Sequence, residues 1–189
     1  LQAITAFQQQ GYRHGEARAT GQLGATYHRL GDHQKAIEHF HRAVIIVREI
    51  GDRRTEGIHL GNLGNVYKML GDLQNAVQYF QQAITIAQEI GDKQNEGIYL
   101  GNLGNLSRTR GDFPKAIEYT SKAITIARAI GDKRSECVFL GNIGNIYEIV
   151  GEYSKAMDHT TTAIAIAREI DDKRGEGIFL GNLGDLHRT

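Results

Sequence analysis

A chain that repeats itself every 40 residues folds as a stack of like units, and this one repeats with almost no drift. Gly24, Gly64, Gly104, Gly144 and Gly184 share one register, as do Ala36, Ala76, Ala116 and Ala156, and Ala43, Ala83, Ala123 and Ala163. The phrase LGNLGN or LGNIGN opens at Leu60, Leu100 and Leu140, and LGNLGD opens at Leu180. A unit of this length buries its apolar face only by stacking on its neighbours. The activity of such an array is expected in its extended surface rather than in a catalytic pocket.

Within one unit, Ile58, Leu60, Leu63, Val66, Tyr67 and Leu70 follow helical spacing, and so do Ala76, Val77, Phe80, Ala83, Ile84, Ala87 and Ile90. Gly71-Asp72 between the two stretches reads as a stop and a cap: glycine ends one helix in the left-handed conformation, and Asp caps the next. The signal recurs as Gly31-Asp32, Gly111-Asp112 and Gly151-Glu152 within units, and as Gly51-Asp52, Gly91-Asp92, Gly131-Asp132 and the variant Asp171-Asp172 between them. Turns this short force antiparallel neighbours. The expected organisation is a single array: half unit 1–12, units 13–52, 53–92, 93–132 and 133–172, and half unit 173–189. Stacking faces at both ends are expected to be open, which implies a longer parent protein or end-to-end self-association.

Composition narrows the function classes. Lys plus Arg and Asp plus Glu are both 22, so formal net charge is zero, which argues against a nucleic-acid surface. The single cysteine, Cys137, excludes an internal disulfide and reads as a small buried thiol. No apolar run is long enough for a membrane span, no signal segment is visible, and a cytoplasmic location is expected. His39 and His41, two apart on a helix, point in different directions, so no metal site is expected there. No nucleophile, base and orienting group can be assembled, and the glycines of LGNLGN have neither a preceding strand nor a following Lys-Ser/Thr. No enzyme, catalytic residue, metal or cofactor is expected.

Leu63-Gly64, Tyr67, Ala76, Phe80 and Ala83 reproduce the core consensus of the tetratricopeptide repeat, and the pattern resembles that family along the whole chain. The 40-residue form, with GDKxxEGxxLGNLGN, is similar to the long repeats of the Pins/LGN signalling scaffolds. It is also similar to arrays in bacterial signalling and STAND-type regulators. The resemblance implies an all-α fold, a right-handed superhelical solenoid of antiparallel helix pairs. It does not carry over G-protein regulation. Thr120 and Thr160 replace the second-helix aromatic, so those units are expected to pack less tightly.

Two features of the first helix exceed what stability demands. Glycines in a helix interior cost roughly 1 kcal/mol each, yet Gly61, Gly101 and Gly141 recur. The resemblance places them on a concave face, where a missing side chain would let a ligand backbone approach. Asn62 with Asn65, Asn102 with Asn105, and Asn142 with Asn145 lie three apart on one helical face, and Asn182 continues the row. A carboxamide donates and accepts, matching the main chain of an extended peptide; the competing reading ties neighbouring repeats together through these amides. Lys68 and Arg108 would make the middle of the groove basic, favouring a ligand with an acidic segment; the competing reading is solvated surface charge. Glu16, Glu56, Glu96, Glu136 and Glu176 each follow a basic residue by three, which reads as a first-turn ion pair. The leading expectation is a non-enzymatic scaffold binding a protein or peptide partner along the Asn-lined groove. The alternatives are a self-assembly element stacking end to end, or the sensory arm of a larger signalling protein.

Overall fold

The computed structural model describes residues 2–188. Leu1 and Thr189, the outermost residues of the two expected half units, lie outside the described residues. Those described form ten helices. They are α1 (Gln2–Gln9), α2 (Arg13–Arg29), α3 (His33–Glu49), α4 (Arg53–Met69), α5 (Leu73–Glu89), α6 (Lys93–Thr109), α7 (Phe113–Ala129), α8 (Lys133–Ile149), α9 (Tyr153–Glu169) and α10 (Lys173–Leu186).

Helices α2 to α9 are each 17 residues long, and the same local chemistry stops each of them. At the first joint Gly31 has φ 80°, its N–H donates to the His28 carbonyl at 3.1 Å, and the Asp32 N–H reaches back to Tyr27 at 3.0 Å. This double closure needs a left-handed residue, which glycine adopts without a Cβ penalty. Asp32 then accepts the Lys35 N–H at 3.2 Å and opens α3. Asp52, Asp72, Asp112, Asp132 and Asp172 cap α4, α5, α7, α8 and α10 in the same way. Glu152 makes no side-chain cap bond. Asp171 takes the left-handed position at φ 56° where the other joints use glycine, a substitution that Asp tolerates better than most residues.

The chain divides into two compact units, one ending at Asn95 and one beginning at Glu96. In the first, α1 packs on α2, α2 on α3, α3 on α4, and α4 on α5. In the second, α7 packs on α8, α8 on α9, and α9 on α10. Each is an all-α stack of antiparallel helix pairs with alanines at the close crossings. Ala36, Ala43, Ala76, Ala83, Ala116, Ala123, Ala156 and Ala163 are all fully buried.

In the first unit Phe40 seats against Gly24 and Phe80 against Gly64, so closely that a Cβ on Gly64 would stand 2.8 Å from the Phe80 ring. Looser packing at Thr120 and Thr160 is not what the second unit shows. Both threonines are buried, and the helices close around them. A Cβ on Gly104 would crowd Thr120 Oγ1 and come within 3.4 Å of the Ala116 carbonyl; on Gly144 it would stand 2.7 Å from Thr160 Oγ1.

The recurring glutamates do more than pair within a turn. Glu56 is 2% exposed and accepts from Arg53, three residues earlier, at 2.6 Å and from Arg48 of α3 at 2.6 Å. Arg53 also reaches Glu89 at the end of α5. Glu16 is held by Arg13 at 2.6 Å and by Arg42 of α3 at 3.1 Å. In the second unit Arg128 of α7 holds Glu136 at 2.7 Å, and Lys133 extends to Glu169 at 3.5 Å. The buried carboxylate therefore joins three helices. The basic residues beside it are matched by acids, Arg54 with Asp92 included.

Candidate peptide-binding face

Helices α4, α6, α8 and α10 carry the LGN-type phrase, and α2 holds the same register. One side of each is buried against its odd-numbered neighbours through residues such as Leu60, Leu63 and Val66 on α4, or Leu140, Ile143 and Ile146 on α8. The other side keeps a regular arrangement in reach of solvent. Ile58, Ile98, Val138 and Ile178 are exposed, while Asn62, Asn65, Asn102, Asn105, Asn142, Asn145 and Asn182 are half-buried. Lys68 is half-buried and Arg108 exposed.

In the second unit α6, α8 and α10 place Asn102, Asn142 and Asn182 at equivalent positions. The last of these is tied down: Asn182 Nδ2 donates to Asn145 Oδ1 at 3.0 Å, linking α10 to α8. Among the described residues, the side chains of Asn102, Asn105 and Asn142 make no hydrogen bond. One of these amides thus ties two helices together, and others make no hydrogen bond among the described residues.

Gly101 and Gly141 take a different role from the one expected. Gly61, Gly101 and Gly141 are buried. A Cβ on Gly101 would run into the Phe139 ring (Cδ1 at 2.9 Å), and on Gly141 into the Phe179 ring (Cδ1 at 3.0 Å). The room expected to admit a ligand main chain at these two glycines is filled by an aromatic ring from the next even-numbered helix. Gly21 plays the same part for His59, whose Nε2 would lie 2.8 Å from a Cβ there. His59, Phe139 and Phe179 share one place in the 40-residue register, and the structure shows the glycine that each packs against. His59 is 7% exposed, its ring nitrogens lack partners among the described residues, and burial pushes its pKa down, with Asp52 pulling the other way.

Two hollows open on α2 in the first unit. A larger one of about 820 Å³ lies between α1, α2 and α4, and its walls carry both signs of charge, including Arg18 and Asp52. A smaller notch of about 510 Å³ is lined by Gln22, Thr26, His28, Arg29 and Asn62 above Phe40. Burial lowers the pKa of Lys68. His28 is lowered first by burial and then by His33 and Lys68.

His39, His41 and His159 are occupied with aromatic neighbours. His39 stacks on Tyr27 with centroids 5.3 Å apart, and His41 Nε2 lies 3.3 Å from the Tyr79 hydroxyl. Cys137 is buried, its thiol donates to the Ala163 carbonyl at 3.3 Å, and burial raises its pKa. Among the described residues no helix is long and apolar enough to cross a membrane.

These features define a helical-hairpin repeat with a polar face, and sequence comparison gives the class its name. The signature of the tetratricopeptide repeat matches residues 15–89 and again 55–129, together more than half of the chain. The protein belongs to the tetratricopeptide-repeat family, whose folds serve as protein-interaction scaffolds. A further stretch, residues 111–178, matches the signature of anaphase-promoting complex subunit 5. No curated protein sequence matches the chain.

Among solved structures, the fold is similar to the apo form of RapI, with a TM-score of 0.85 and 18% identity over 99% of this chain and 53% of that one. It is similar to aspartyl phosphate phosphatase F from Bacillus subtilis, with a TM-score of 0.83 and 19% identity over 90% and 44%. A STAND (signal transduction ATPase with numerous domains) protein with a tetratricopeptide-repeat sensor, from Pyrococcus horikoshii, gives 0.79 and 21% over 87% and 26%. The chain therefore spans about half or less of these proteins.

Proposed function

We propose that the asparagine-bearing face of the even-numbered helices binds an extended peptide segment of a partner protein without catalysing any reaction. The observation that carries this reading is the pair Asn102 and Asn142. They stand in register on successive even-numbered helices, half exposed, with carboxamides unused among the described residues and exposed Ile98 and Val138 one turn away. Free amides grip a peptide main chain, and the apolar row takes alternate side chains. Arg108 and Lys68 favour a ligand with acidic character. Gly101 and Gly141 support the face from beneath by seating Phe139 and Phe179 of the next even-numbered helix, and Asn145 with Asn182 holds the spacing of α8 and α10.

The test is selection of short random peptides displayed on phage against the intact chain and against Asn102→Ala/Asn142→Ala. Alanine is the better helix former, so the variant keeps its fold. Peptides that bind the parent and lose about tenfold or more on the variant support the face. Equal binding to both proteins moves the site elsewhere.

Association between copies is the second reading, and the exposed Ile178 and Leu180 on α10 favour it. A mass that rises with concentration, and falls back in Ile178→Lys/Leu180→Lys, would put that reading first. A cytoplasmic setting, in which Cys137 stays reduced, and a role as the sensing arm of a larger signalling protein complete the proposal.

A further inference from the structure

Asn145 and Asn182 show what a complete rung does: one amide from each of two neighbouring helices, joined at 3.0 Å. In the first unit the same register sets Ala25 of α2 against Asn62 of α4. Alanine brings no amide to this rung. Asn62 makes no side-chain hydrogen bond among the described residues, and the vacated space is the notch of about 510 Å³ that Asn62 lines with Gln22, His28 and Arg29.

The chemistry of that notch is one-sided. No carboxylate lines it. The two amides and the guanidinium offer N–H donors, and Lys68 lies further along α4, within electrostatic range of His28. Arg13, Arg42, Arg48, Arg53 and Arg54 of the same unit each face an acid. Arg29 and Lys68 form no ion pair among the described residues. A half-buried ammonium without a counter-charge has lost hydration and gained nothing in return, so a carboxylate brought beside it is favoured.

We infer that this notch is the subsite for an Asp or Glu side chain of the bound peptide, held by the Asn62 and Gln22 amides and Arg29 and neutralising Lys68. The inference rests on the peptide-binding reading and adds to it a position and a charge. His28 makes the subsite responsive to pH. The groups facing it are all cationic or titrate to cations: Arg29 on its own helix, His33 on α3 and Lys68 on α4. Burial first, then His33 and Lys68, hold its proton off in the free protein, and a bound carboxylate draws the proton back, so binding strengthens as pH falls toward the ordinary histidine range.

The experiment uses peptides selected on the intact chain, resynthesised in matched Glu and Gln forms and titrated by fluorescence anisotropy. The probes are the parent, Ala25→Asn, which restores the missing rung with the residue that three other units hold there, and Lys68→Gln. The expected result is about a tenfold weakening from Glu to Gln on the parent, growing at lower pH, and little difference between the two forms on either variant. Equal binding of both forms to the parent overturns the subsite, as does selection of peptides without acids. Peptides that need Asn102 and Asn142 but ignore Ala25→Asn also overturn it while leaving the peptide-binding face standing. Recovery of no peptide at all removes the face and the subsite together.

Discussion

Alanine at Gly141 and alanine at Gly181 are the same change at the same place in the 40-residue register, and the two should move stability in opposite directions. Replacing a helix-interior glycine by alanine gains roughly 1 kcal/mol from backbone entropy and propensity. At Gly181 a Cβ meets no atom within 4 Å, so the gain stands. At Gly141 the new methyl would lie 3.0 Å from Phe179 Cδ1 and nearer still to Cε1, well inside the separation of about 3.5–4.0 Å at which carbon atoms attract. Phe179 is 8% exposed, so its ring gives way only by disturbing its packing, and overpacking of this kind costs about 1–3 kcal/mol. The net is a loss of about 1 kcal/mol at Gly141 against a gain of about 1 kcal/mol at Gly181. For a chain of this size each kilocalorie moves the melting temperature by about 2–4 °C, so the two variants should separate by about 4–8 °C. Thermal melts followed by far-UV circular dichroism measure this directly, and Gly141→Ala/Phe179→Leu should recover part of the loss. If Gly141→Ala raised the melting temperature as much as Gly181→Ala, the seat for Phe179 would be an illusion, and the column of glycines would need another explanation.

Three other expectations follow from the same packing. Arg48→Met leaves buried Glu56 with Arg53 as its remaining partner; with both arginine heads partly solvated the cost should be about 1–2 kcal/mol, seen as a lower urea midpoint that high salt reduces. His59 binds its proton more weakly folded than unfolded, because burial outweighs the pull of Asp52. Its contribution is therefore intact above the ordinary value of 6.5 and is lost as pH falls below it. His59→Phe, which installs the residue found at Phe139 and Phe179, should flatten the dependence of stability on pH in that range, and an unchanged slope would assign the acid sensitivity elsewhere. Cys137 should resist an aromatic disulfide reagent in the native chain and react once urea unfolds it; immediate labelling would contradict its burial.

Contacts that close within a few residues were readable in advance. Gly31-Asp32 and its counterparts mark helix ends because the carbonyls, the left-handed residue and the cap all lie in one short segment. What resisted reading were contacts between repeats. Gly101 and Phe139 are 38 positions apart, and a glycine that admits a ligand has the same letter as one that admits a ring. The pairing of Glu56 with Arg53 shows in the sequence, whereas its second partner, Arg48, comes from the helix before. Thr120 and Thr160 looked like gaps because the eye compares side-chain volumes, while helices adjust their separation. At the asparagines the deciding fact is which residue faces each amide across the rung: Asn145 for Asn182, Ala25 for Asn62.

The buried glutamates also bear on how the first unit comes apart. Arg48 on α3, Glu56 and Arg53 on α4, and Glu89 on α5 form one continuous chain of charges. Detaching α3 strips a desolvated carboxylate of one partner, and detaching α4 leaves Glu89 without its own. In a linear array, stability is the sum of what each repeat is worth alone and what each junction adds. A junction secured by a buried charge raises the second term, so opening at one helix favours opening at the next. Amide exchange should accordingly show α3, α4 and α5 sharing one opening free energy rather than fraying in sequence, a cooperative block whose coupling weakens as salt concentration rises.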